Sequence, residues 1–460
     1  MRGLRKITAM LTGKILLLLM KVLGRQGTVL PGKIARRIDP DILKKLAKNI
    51  TEEIIVVTGT NGKTTTSNMI AQILTEEGYS IIHNRAGANM LTGITTAFIA
   101  GSDFTGRRRY HYAVLETDEA NVPLLLREVK PRLLLITNFF RDQLDRYGEL
   151  DYTVKMIKDA VRESSIELVL NADDPLMADF ERYTGLCVWY YGFDDTDYDT
   201  LVSSESREGR YCVFCGNEIS YRRYHYAQLG SFYCNKCGNH NPEPNFLARD
   251  LVMNPHLRFK INNIEIESYY QGFYNAYNIL AAVSAAKLLG VENETIRKAI
   301  KSYIPRAGRM EVFNINGKET ILILVKNPAG LNQTLTAMKH DKRRKNIFLA
   351  LNDNAADGRD VSWIWDADVE IINETNYERI VCSGKRSGDI AVRIKYSGVS
   401  ENTILIKTPL KEGIEAACSG EGETTYILST YTALFPCRKI LRRMHHKKAS
   451  KEGEVFRLTE

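Results

Sequence analysis

The sequence predicts an α/β protein with a central domain, a small cysteine-rich insert within that domain, and a smaller α/β domain after it. Three observations predict this architecture. Apolar segments of strand length alternate with stretches of helical periodicity, as in parallel sheets covered on both faces. A glycine-rich loop follows the first strand and opens a helix. Four cysteines form two closely spaced pairs late in the central domain.

Size and composition are those of a globular protein. The chain has 460 residues, of which 44% are hydrophobic and 26% are charged, enough for about three domains. The net charge of +8 is compatible with an anionic nucleotide, a lipid surface or nucleic acid. No run reaches the roughly 18 uninterrupted apolar residues that span a bilayer. No small-residue cleavage site follows the N-terminal apolar run, so we expect a cytoplasmic protein.

The N-terminal segment, residues 1–43, is basic and apolar. Residues 7–23 are apolar, interrupted by Lys14 and Lys21. Two interpretations are open: a helix docked on the body of the protein, or a basic amphipathic helix lying on the inner face of the membrane. A short helix is predicted over residues 39–49, leading into the first strand.

The glycine-rich loop has the residues that phosphate binding needs. Gly59 and Gly62 allow a tight turn and let backbone N–H groups approach a polyphosphate at a helix N-terminus. Lys63 can neutralise the terminal phosphates, and the Thr64 hydroxyl can reach a magnesium ion. The general pattern asks for glycine where this chain has Val57. The alternative is therefore a glycine turn with a solvated lysine.

Polar residues gather where further strands are predicted to end. Because the carboxyl ends of parallel strands meet at one edge of a sheet, these residues mark the ligand crevice. A helix over residues 272–290, ending at a glycine, closes the central domain, which we place at 44–307. The further predicted strands lie within residues 80–89, 112–118, 133–138 and 168–174.

The four paired cysteines predict a metal site. Cys212 and Cys215 are separated from Cys234 and Cys237 by eighteen residues, and a glycine follows each pair. This spacing is typical of a four-thiolate zinc site. A disulfide framework is the alternative, and a cytosolic setting disfavours it. Because four sulfurs leave no open coordination position, we predict a structural zinc ribbon, an insertion at about 205–242.

Six motifs in order resemble the ATP-dependent Mur ligases: GTNGKTTT, LETDEA, TNFFRDQLDRYG, LNADDP, GFYNAYNILAA and PRAGRMEVF. This family joins an amino acid to a carboxylate through an acyl phosphate, using ATP and Mg²⁺. The resemblance implies that Glu116 acts in catalysis and binds magnesium with Thr64. The nucleotide contacts that the resemblance implies are Gly59, Thr60, Asn61, Gly62, Lys63, Thr64, Thr65, Asn278 and Arg309.

The chain departs from the Mur ligase pattern at several positions. Gln143 stands where the family usually has histidine, so a second metal ligand is missing or replaced. Lys155 or Lys158 corresponds to the carbamylated lysine of some members, unless it is an exposed helical lysine. Asn171 and Asp173 lie in a matching motif that could equally be a strand-end turn.

The C-terminal domain, residues 308–460, again alternates strands with helices. Residues 324–330 read LVKNPAG where amino-acid-adding Mur ligases have an acidic loop, which indicates a different incoming nucleophile. Residues 351–366 hold several aspartates and two tryptophans. They form either an aspartate-rich turn with tryptophan core anchors or a functional loop. The predicted strands are 320–325, 346–351, 379–382, 403–406 and 424–429.

Over essentially its whole length the chain is similar to one group within this family, the subunits that amidate lipid II together with a glutaminase of the GatD type. The resemblance implies a heterodimer that converts D-glutamate of the stem peptide to D-isoglutamine, using ammonia released by the partner. It also implies that an aspartate of this chain completes the glutaminase's Cys–His pair. We assign this role to Asp357, with Asp360 and then Asp353 as alternatives. The basic residues 438–451 are either a partner surface or a solvated helix end.

Two rival functions are distinguishable. A stand-alone carboxylate–amine ligase of the folylpolyglutamate type would consume a free amino acid and need no glutaminase. A nucleic-acid-binding module would use the basic and aromatic residues of the ribbon. Six ligase motifs argue against the second, and we expect no nucleic-acid partner.

Overall fold

The computed structural model describes residues 2–23, 27–84, 88–140, 150–201, 208–253, 256–270, 272–304 and 309–455. Within these ranges, side chains are described for residues 4–445 with the exception of residue 309. The chain divides into two compact units. The first runs to Tyr303, and the second begins at Ile304. The first unit contains the N-terminal segment and the cysteine-rich insert.

A nine-stranded sheet is the centre of the first unit. Its strand order is β11-β10-β9-β6-β5-β4-β1-β3-β2. Seven strands from β9 to β2 are parallel, whereas β10 and β11 are antiparallel at one edge. The strands are β1 (Ile54–Thr58), β2 (Ile81–His83), β3 (Tyr112–Glu116), β4 (Leu133–Ile136), β5 (Glu167–Asn171), β6 (Val188–Phe193), β9 (Phe246–Val252), β10 (Leu257–Ile261) and β11 (Ile264–Ser268).

Helices cover this sheet. The central strands β1, β3 and β4 are buried along their whole length, as continuous apolar strands of a parallel sheet should be. The helices are α1 (Arg2–Val22), α2 (Leu30–Ile38), α3 (Ile42–Ala47), α4 (Lys63–Glu76), α5 (Leu91–Gly101), α6 (Val122–Leu126), α7 (Leu150–Val161), α8 (Phe180–Thr184), α9 (Phe273–Leu288) and α10 (Asn293–Lys301), with 3-10 turns at Glu119–Asn121 and Pro175–Met177.

The N-terminal helix α1 is docked on the first unit. It packs against α2 and α5, and Ala9 and Met10 are fully buried in the core. Gly13 permits the close approach to α5, because a methyl group there would lie 3.1 Å from the side chain of Ile99. The docked interpretation is therefore confirmed. Among the described residues, no helix combines the length and the apolarity needed to cross a bilayer.

The cysteine-rich insert contains a two-stranded antiparallel hairpin, β7 (Ser220–Tyr226) and β8 (Leu229–Tyr233). Its own core is very small: Cys212, Ile219, Phe232 and Cys234 are buried together. A core of this size stabilises little by itself. The insert therefore depends on additional links, and its cysteines are placed to supply them.

The second unit has a six-stranded sheet in the order β12-β13-β17-β14-β15-β16, with only β12 antiparallel to its neighbour. Apolar clusters cover both faces. The strands are β12 (Arg309–Ile315), β13 (Lys318–Leu324), β14 (Lys345–Ala350), β15 (Tyr377–Ser383), β16 (Ile404–Ile406) and β17 (Thr424–Ser429); the helices are α11 (Pro328–His340), α12 (Ser387–Tyr396), α13 (Leu410–Cys418) and α14 (Tyr431–Val455), with 3-10 turns at Ser362–Trp365, Val369–Glu374 and Glu401–Thr403.

Two details differ from the sequence-based expectation. The helix expected over 39–49 is limited to α3, Ile42–Ala47. Residues 309–315, which we treated only as part of a motif, form strand β12 and pair with β13. That pairing joins segments adjacent along the chain through a tight turn at Asn316 and Gly317, both with positive φ. An Asn-Gly pair between two strands is a hairpin signal.

Candidate active site

The glycine-rich loop lies between the end of β1 and the start of α4. Gly59 and Gly62 have φ angles of +116° and +86°, which favour glycine. A Cβ on Gly62 would collide with the amide oxygen of Asn278, and a Cβ on Gly59 would collide with Thr137. Both glycines are therefore required by conformation and by close packing. Asn278, on α9, is in this way brought to the loop as predicted.

The ammonium group of Lys63 is held over the loop. Its Nζ donates to the carbonyl oxygen of Gly59 and lies 3.2 Å from the carboxylate of Glu119. Both side chains are at least nine-tenths buried. A buried cation needs a counter-charge, and Glu119 supplies one. The arrangement places one positive charge at the N-terminus of α4, where an anion is already favoured.

A hydroxyl and a carboxylate meet beside this lysine. Thr64 Oγ1 donates to Glu116 Oε1 over 3.0 Å, and the parallel register places Glu116 beside Val57 at the end of β1. Asn84 holds the backbone of Glu116 by two hydrogen bonds, of 2.7 and 2.9 Å. Hard oxygen donors of this kind suit Mg²⁺. The predicted pair is thus brought together.

The segment after β4 braces the glycine loop. Thr137 Oγ1 donates to the carbonyl of Asn61 over 2.6 Å, and the amide oxygen of Asn138 accepts from the Asn61 N–H over 2.9 Å. Thr60 Oγ1 donates to the carbonyl of Phe140 over 3.0 Å. Thr60 and Thr65 are themselves buried. The loop conformation is therefore set by contacts from a strand about 80 residues away in sequence.

The cysteine-rich insert reaches the same segment through Gln228. This side chain is 1% exposed, and its Nε2 donates to the carbonyl of Phe139 over 2.5 Å and to Asp174 over 3.2 Å. Asp174 in turn accepts from the N–H of Phe139 over 2.9 Å. A continuous chain of hydrogen bonds runs from the hairpin to Phe139, whose neighbour Phe140 contacts the loop residue Thr60.

Asp173 links the hairpin to the sheet, because its backbone carbonyl accepts from the N–H of Gly230 in β8 over 3.0 Å. Its carboxylate accepts from the Tyr277 hydroxyl over 2.7 Å and from the Phe193 N–H over 2.8 Å. Burial raises the pKa of this carboxyl, although the nearby His225 opposes the shift. Asn171 accepts from the Asp173 N–H over 3.0 Å. The structure therefore gives Asn171 and Asp173 the contacts of a strand-end turn, one of the two interpretations of their motif.

Asp174 makes stability depend on pH. Burial raises the pKa of this carboxyl from 3.8 to about 6, against hydrogen bonds from Phe139 and Gln228. Because the folded pKa is the higher one, its contribution is fully present below about pH 4 and is lost as the pH rises through 6. We expect the wild-type free energy of unfolding, minus that of Asp174→Asn, to fall by about 2 kcal/mol between pH 4 and 7.

Chemical denaturation at several pH values measures this difference. The control is Asp151→Asn, at an exposed position on α7, whose difference from wild type should be flat over the same range. A difference for Asp174→Asn that is constant, or that grows with pH, would contradict the assignment.

The four predicted cysteines lie together. Their sulfur atoms are all within 4.8 Å of one another, and two pairs are 3.5 Å apart. The turns are alike: the N–H of Gly216 donates to the carbonyl of Cys212, and that of Gly238 to Cys234. Hydrogen bonds from the backbone N–H groups of Cys237 and Lys236 lower the pKa of the Cys234 thiol, whereas desolvation and the neighbouring thiols raise the pKa of the Cys237 thiol. This donor set can hold a metal ion.

Other site residues that the family resemblance implies lie outside the described residues or away from the glycine-rich loop. Residues 142–145, the departure from the family's histidine motif, lie outside the described residues, as does the side chain of Arg309, whose backbone opens β12. Lys155 is exposed and pairs with Asp159. Lys158, expected to be an exposed helical lysine, is instead buried, with Nζ 2.5 Å from Asp179. A carbamate at Lys158 would face that carboxylate and be repelled.

The aspartate-rich loop lies in the second unit, after β14. Asp357 is 5% exposed, and its carboxylate accepts from the N–H and the hydroxyl of Thr432, in the first turn of α14, and from the Asn354 N–H. Asp360 is exposed and accepts from the Ser362 N–H over 2.8 Å. Asp353 is half-buried beside Arg386. Of the three, Asp360 is the most accessible.

Several residues of the site were not singled out by the sequence. Glu119 follows Glu116 by three residues in the same motif, so the motif contained a signal. Thr137 and Asn138 end a predicted strand, which was also a signal. Asn84 followed a predicted strand in the same way. Gln228 had none, because it lies between the two cysteine pairs of the insert, and their spacing says nothing about the residues in between.

Comparison with known proteins shows the class to which the fold of the first unit belongs. The family model of the Mur ligase middle domain matches residues 57–286. A pseudomurein peptide ligase type C from Methanothermus fervidus superposes with a TM-score of 0.66 at 22% identity, over 87% of this chain and 80% of that one. The fold is therefore that of a Mur ligase-like α/β protein.

Similarity over the whole chain narrows the class. The family model of the MurT ligase C-terminal region matches residues 324–434. The chain is 38% identical to the lipid II isoglutaminyl synthase (glutamine-hydrolyzing) subunit MurT of Staphylococcus aureus strain COL, over 96% of this chain and 98% of that protein. The same subunit of Streptococcus pneumoniae is 38% identical over 95% and 97%. This chain belongs to the MurT family.

Proposed function

We propose that this chain is the ligase subunit of a glutamine-dependent enzyme that amidates the α-carboxylate of D-glutamate in the lipid II stem peptide, giving D-isoglutamine. The observation that carries the proposal is the 38% identity to MurT over 96% of the chain. A cytoplasmic location, at the inner face of the membrane, fits such a lipid-linked substrate.

The chemistry has two steps. A carboxylate oxygen of the substrate attacks the γ-phosphorus of ATP, the bond from that phosphorus to ADP breaks, and an acyl phosphate forms. Ammonia then attacks the acyl carbon, phosphate leaves, and the nitrogen loses a proton. Negative charge is concentrated at the phosphoryl group throughout, so fixed positive charge and oriented N–H groups lower the barrier.

Residues of the first unit are suited to the first step. Lys63 and the N-terminus of α4 supply positive charge, and the two glycines let the backbone approach phosphate closely. Thr64 and Glu116 would hold Mg²⁺, which polarises phosphoryl oxygens when bound. Their oxygen atoms already lie 3.0 Å apart, which supports a shared ligand. Glu119 holds the lysine in place over the loop before nucleotide binds.

A structural zinc ion fits the insert. Four thiolate ligands at about 2.3 Å in tetrahedral geometry require sulfur atoms close to the observed separations, with two pairs at 3.5 Å. Cys212, Cys215, Cys234 and Cys237 would hold the ion, and its bonds would replace the apolar core that the insert lacks. With all four positions filled by sulfur, it would take no part in the reaction.

The nitrogen source follows from the loop after β13. Lys326 and Asn327 stand where amino-acid-adding Mur ligases have an acidic loop, and ammonia needs no pocket for a carboxylate or a side chain. We therefore propose a heterodimer with a GatD-like glutaminase. Asp357 is our candidate for the carboxylate that orients the glutaminase histidine, with Asp360 and Asp353 as alternatives.

Turnover of Asp357→Asn with two nitrogen sources tests the partnership. We expect the variant, assembled with the glutaminase, to lose at least tenfold in ADP release with glutamine and to keep wild-type turnover with ammonium, because only glutamine hydrolysis needs the carboxylate. Lipid II in detergent is the substrate. Asp360→Asn, at the exposed position of the same loop, is the matched comparison.

Each outcome is informative. If only Asp360→Asn loses glutamine-dependent turnover, Asp360 is the carboxylate that orients the glutaminase histidine. Loss with both nitrogen sources, together with a lowered melting temperature, would show that Asp357 acts only by capping α14. Consumption of a free amino acid without the glutaminase would replace the proposal with a stand-alone carboxylate–amine ligase.

A further inference from the structure

The helix α1 has two apolar faces instead of one. Its inner face is docked through Ala9, Met10 and Gly13. The opposite face is exposed and also apolar, although a helix at a protein surface ordinarily turns polar residues outward. We call these residues the outer stripe; their side chains are 42% to 85% exposed, and they are Leu4, Ile7, Leu11, Ile15, Leu18, Leu19 and Val22.

Helix geometry makes these residues one continuous surface. Successive residues of an α-helix are rotated by about 100°, so positions 4, 7, 11, 15, 18 and 22 fall within one narrow sector. Leu4 is 72% exposed and Val22 is 85% exposed, at opposite ends of the helix. The stripe thus runs along nearly the whole of α1. Continuous exposed apolar surface of this kind marks an interaction site.

Positive charge borders the stripe. The first 38 residues of the chain contain nine lysines and arginines and no aspartate or glutamate. Arg5 and Lys21 are exposed at the margins of the stripe. Long basic side chains can lay their methylene groups along an apolar layer while the charge reaches a polar surface.

A loop packed beside α1 adds an exposed aromatic ring and further cations, with one acidic residue, Asp103, whose carboxylate accepts hydrogen bonds within the loop. Lys6 Nζ donates to the carbonyl of Gly106 over 2.9 Å, and Lys14 Nζ lies 5.7 Å from the centre of the Phe104 ring. Phe104 is 60% exposed, and the three consecutive arginines 107–109 are exposed as well. An exposed aromatic ring and three exposed cations therefore lie in a loop that contacts α1 through Lys6 and Lys14.

We propose that the outer stripe, Phe104 and the arginines 107–109 form a membrane-binding face that lies on the anionic surface of a lipid bilayer. An apolar stripe flanked by cations is how interfacial helices bind, with the apolar residues at the level of the acyl chains and the cations at the headgroups. An anionic lipid surface matches both features of this face, the apolar stripe and the nine cations of the first 38 residues, which contain no acidic residue. The lipid-linked substrate of the proposed function gives this face a purpose, and to that extent the inference rests on the proposed function.

Vesicle flotation of the full chain, alone and assembled with the glutaminase, tests the face. The probes are vesicles of phosphatidylglycerol with phosphatidylcholine, and vesicles of phosphatidylcholine alone. We expect wild type to float with the anionic vesicles and Ile15→Glu/Leu18→Glu to lose at least tenfold in bound fraction. Val392→Glu, at an exposed valine on α12, should bind as wild type does.

A second variant separates charge from apolar contact. Arg107→Glu/Arg108→Glu should weaken binding to anionic vesicles most strongly at low salt and leave the residual binding to phosphatidylcholine unchanged. Equal melting temperatures establish that all variants fold. The proposal is overturned if wild type does not float, or if Ile15→Glu/Leu18→Glu floats equally well. It is also overturned if that variant instead loses the glutaminase, which would make the stripe a protein interface.

The proposed function and this inference can fail separately. Amidation of lipid II in detergent requires no bilayer, so it should be unaffected in Ile15→Glu/Leu18→Glu. If the wild type floats with vesicles but does not amidate lipid II, the proposed function is rejected and the membrane-binding face stands. If it amidates lipid II but does not float, the membrane-binding face is rejected and the proposed function stands.

Discussion

Replacing Lys63 with alanine should reduce ADP release by about 10²- to 10³-fold, the loss expected when one preorganised charge is removed from a phosphoryl-transfer site. The lysine is buried at the N-terminus of α4, where no nearby cation on the loop can substitute for it. Turnover on lipid II in detergent, with ammonium as the nitrogen source, measures the effect without relying on the glutaminase. The matched control is Lys155→Ala, since Lys155 is exposed on α7, and it should behave as wild type.

Folding and chemistry must be separated in this test. Lys63→Ala leaves the carboxylate of Glu119 buried without its cation, which is destabilising. Lys63→Ala/Glu119→Gln removes both charges and should restore the melting temperature without restoring turnover. Wild-type turnover in either variant would show that the loop does not bind the reacting phosphates.

Replacing Cys234 with serine should remove one equivalent of zinc per chain and weaken ADP binding by about tenfold or more. The second effect is indirect. Without the metal the hairpin loses its main link, so Gln228 no longer holds the carbonyl of Phe139, and the brace on Thr60 is lost. Metal analysis and calorimetric titration with ADP measure the two effects on the same preparation.

Two further variants locate the cause. Gln228→Ala should weaken ADP binding while zinc content stays at one equivalent, because it breaks only the connection. Cys187→Ser alters a cysteine outside the insert that is exposed, and should change neither quantity. If Cys234→Ser loses zinc but binds ADP as wild type does, the insert does not position the phosphate loop.

The functional residues that lie within one short stretch of sequence, or at the end of a predicted strand, could be predicted from the sequence pattern. The loop from Gly59 to Thr64 follows a β-branched strand and opens a helix, so both glycines and the lysine were predictable. Glu116 ends a strand next to β1, and parallel pairing brings strand ends to one edge. The four cysteines were predictable because two turns with a fixed spacing can meet around one ion.

The sequence by itself thus determined the α/β class, the glycine-rich loop at the start of α4, the cysteine cluster and the family. Only the tertiary structure decided which partners the buried charges have: Glu119 for Lys63, Asp179 for Lys158, and the start of α14 for Asp357. It alone showed that Gln228 links the insert to the segment that braces the glycine-rich loop, and that α1 is docked by one apolar face and exposes another. The reason is physical: a run of residues states which side chains are apolar or charged, whereas burial and pairing depend on segments far away in the chain that fold against them.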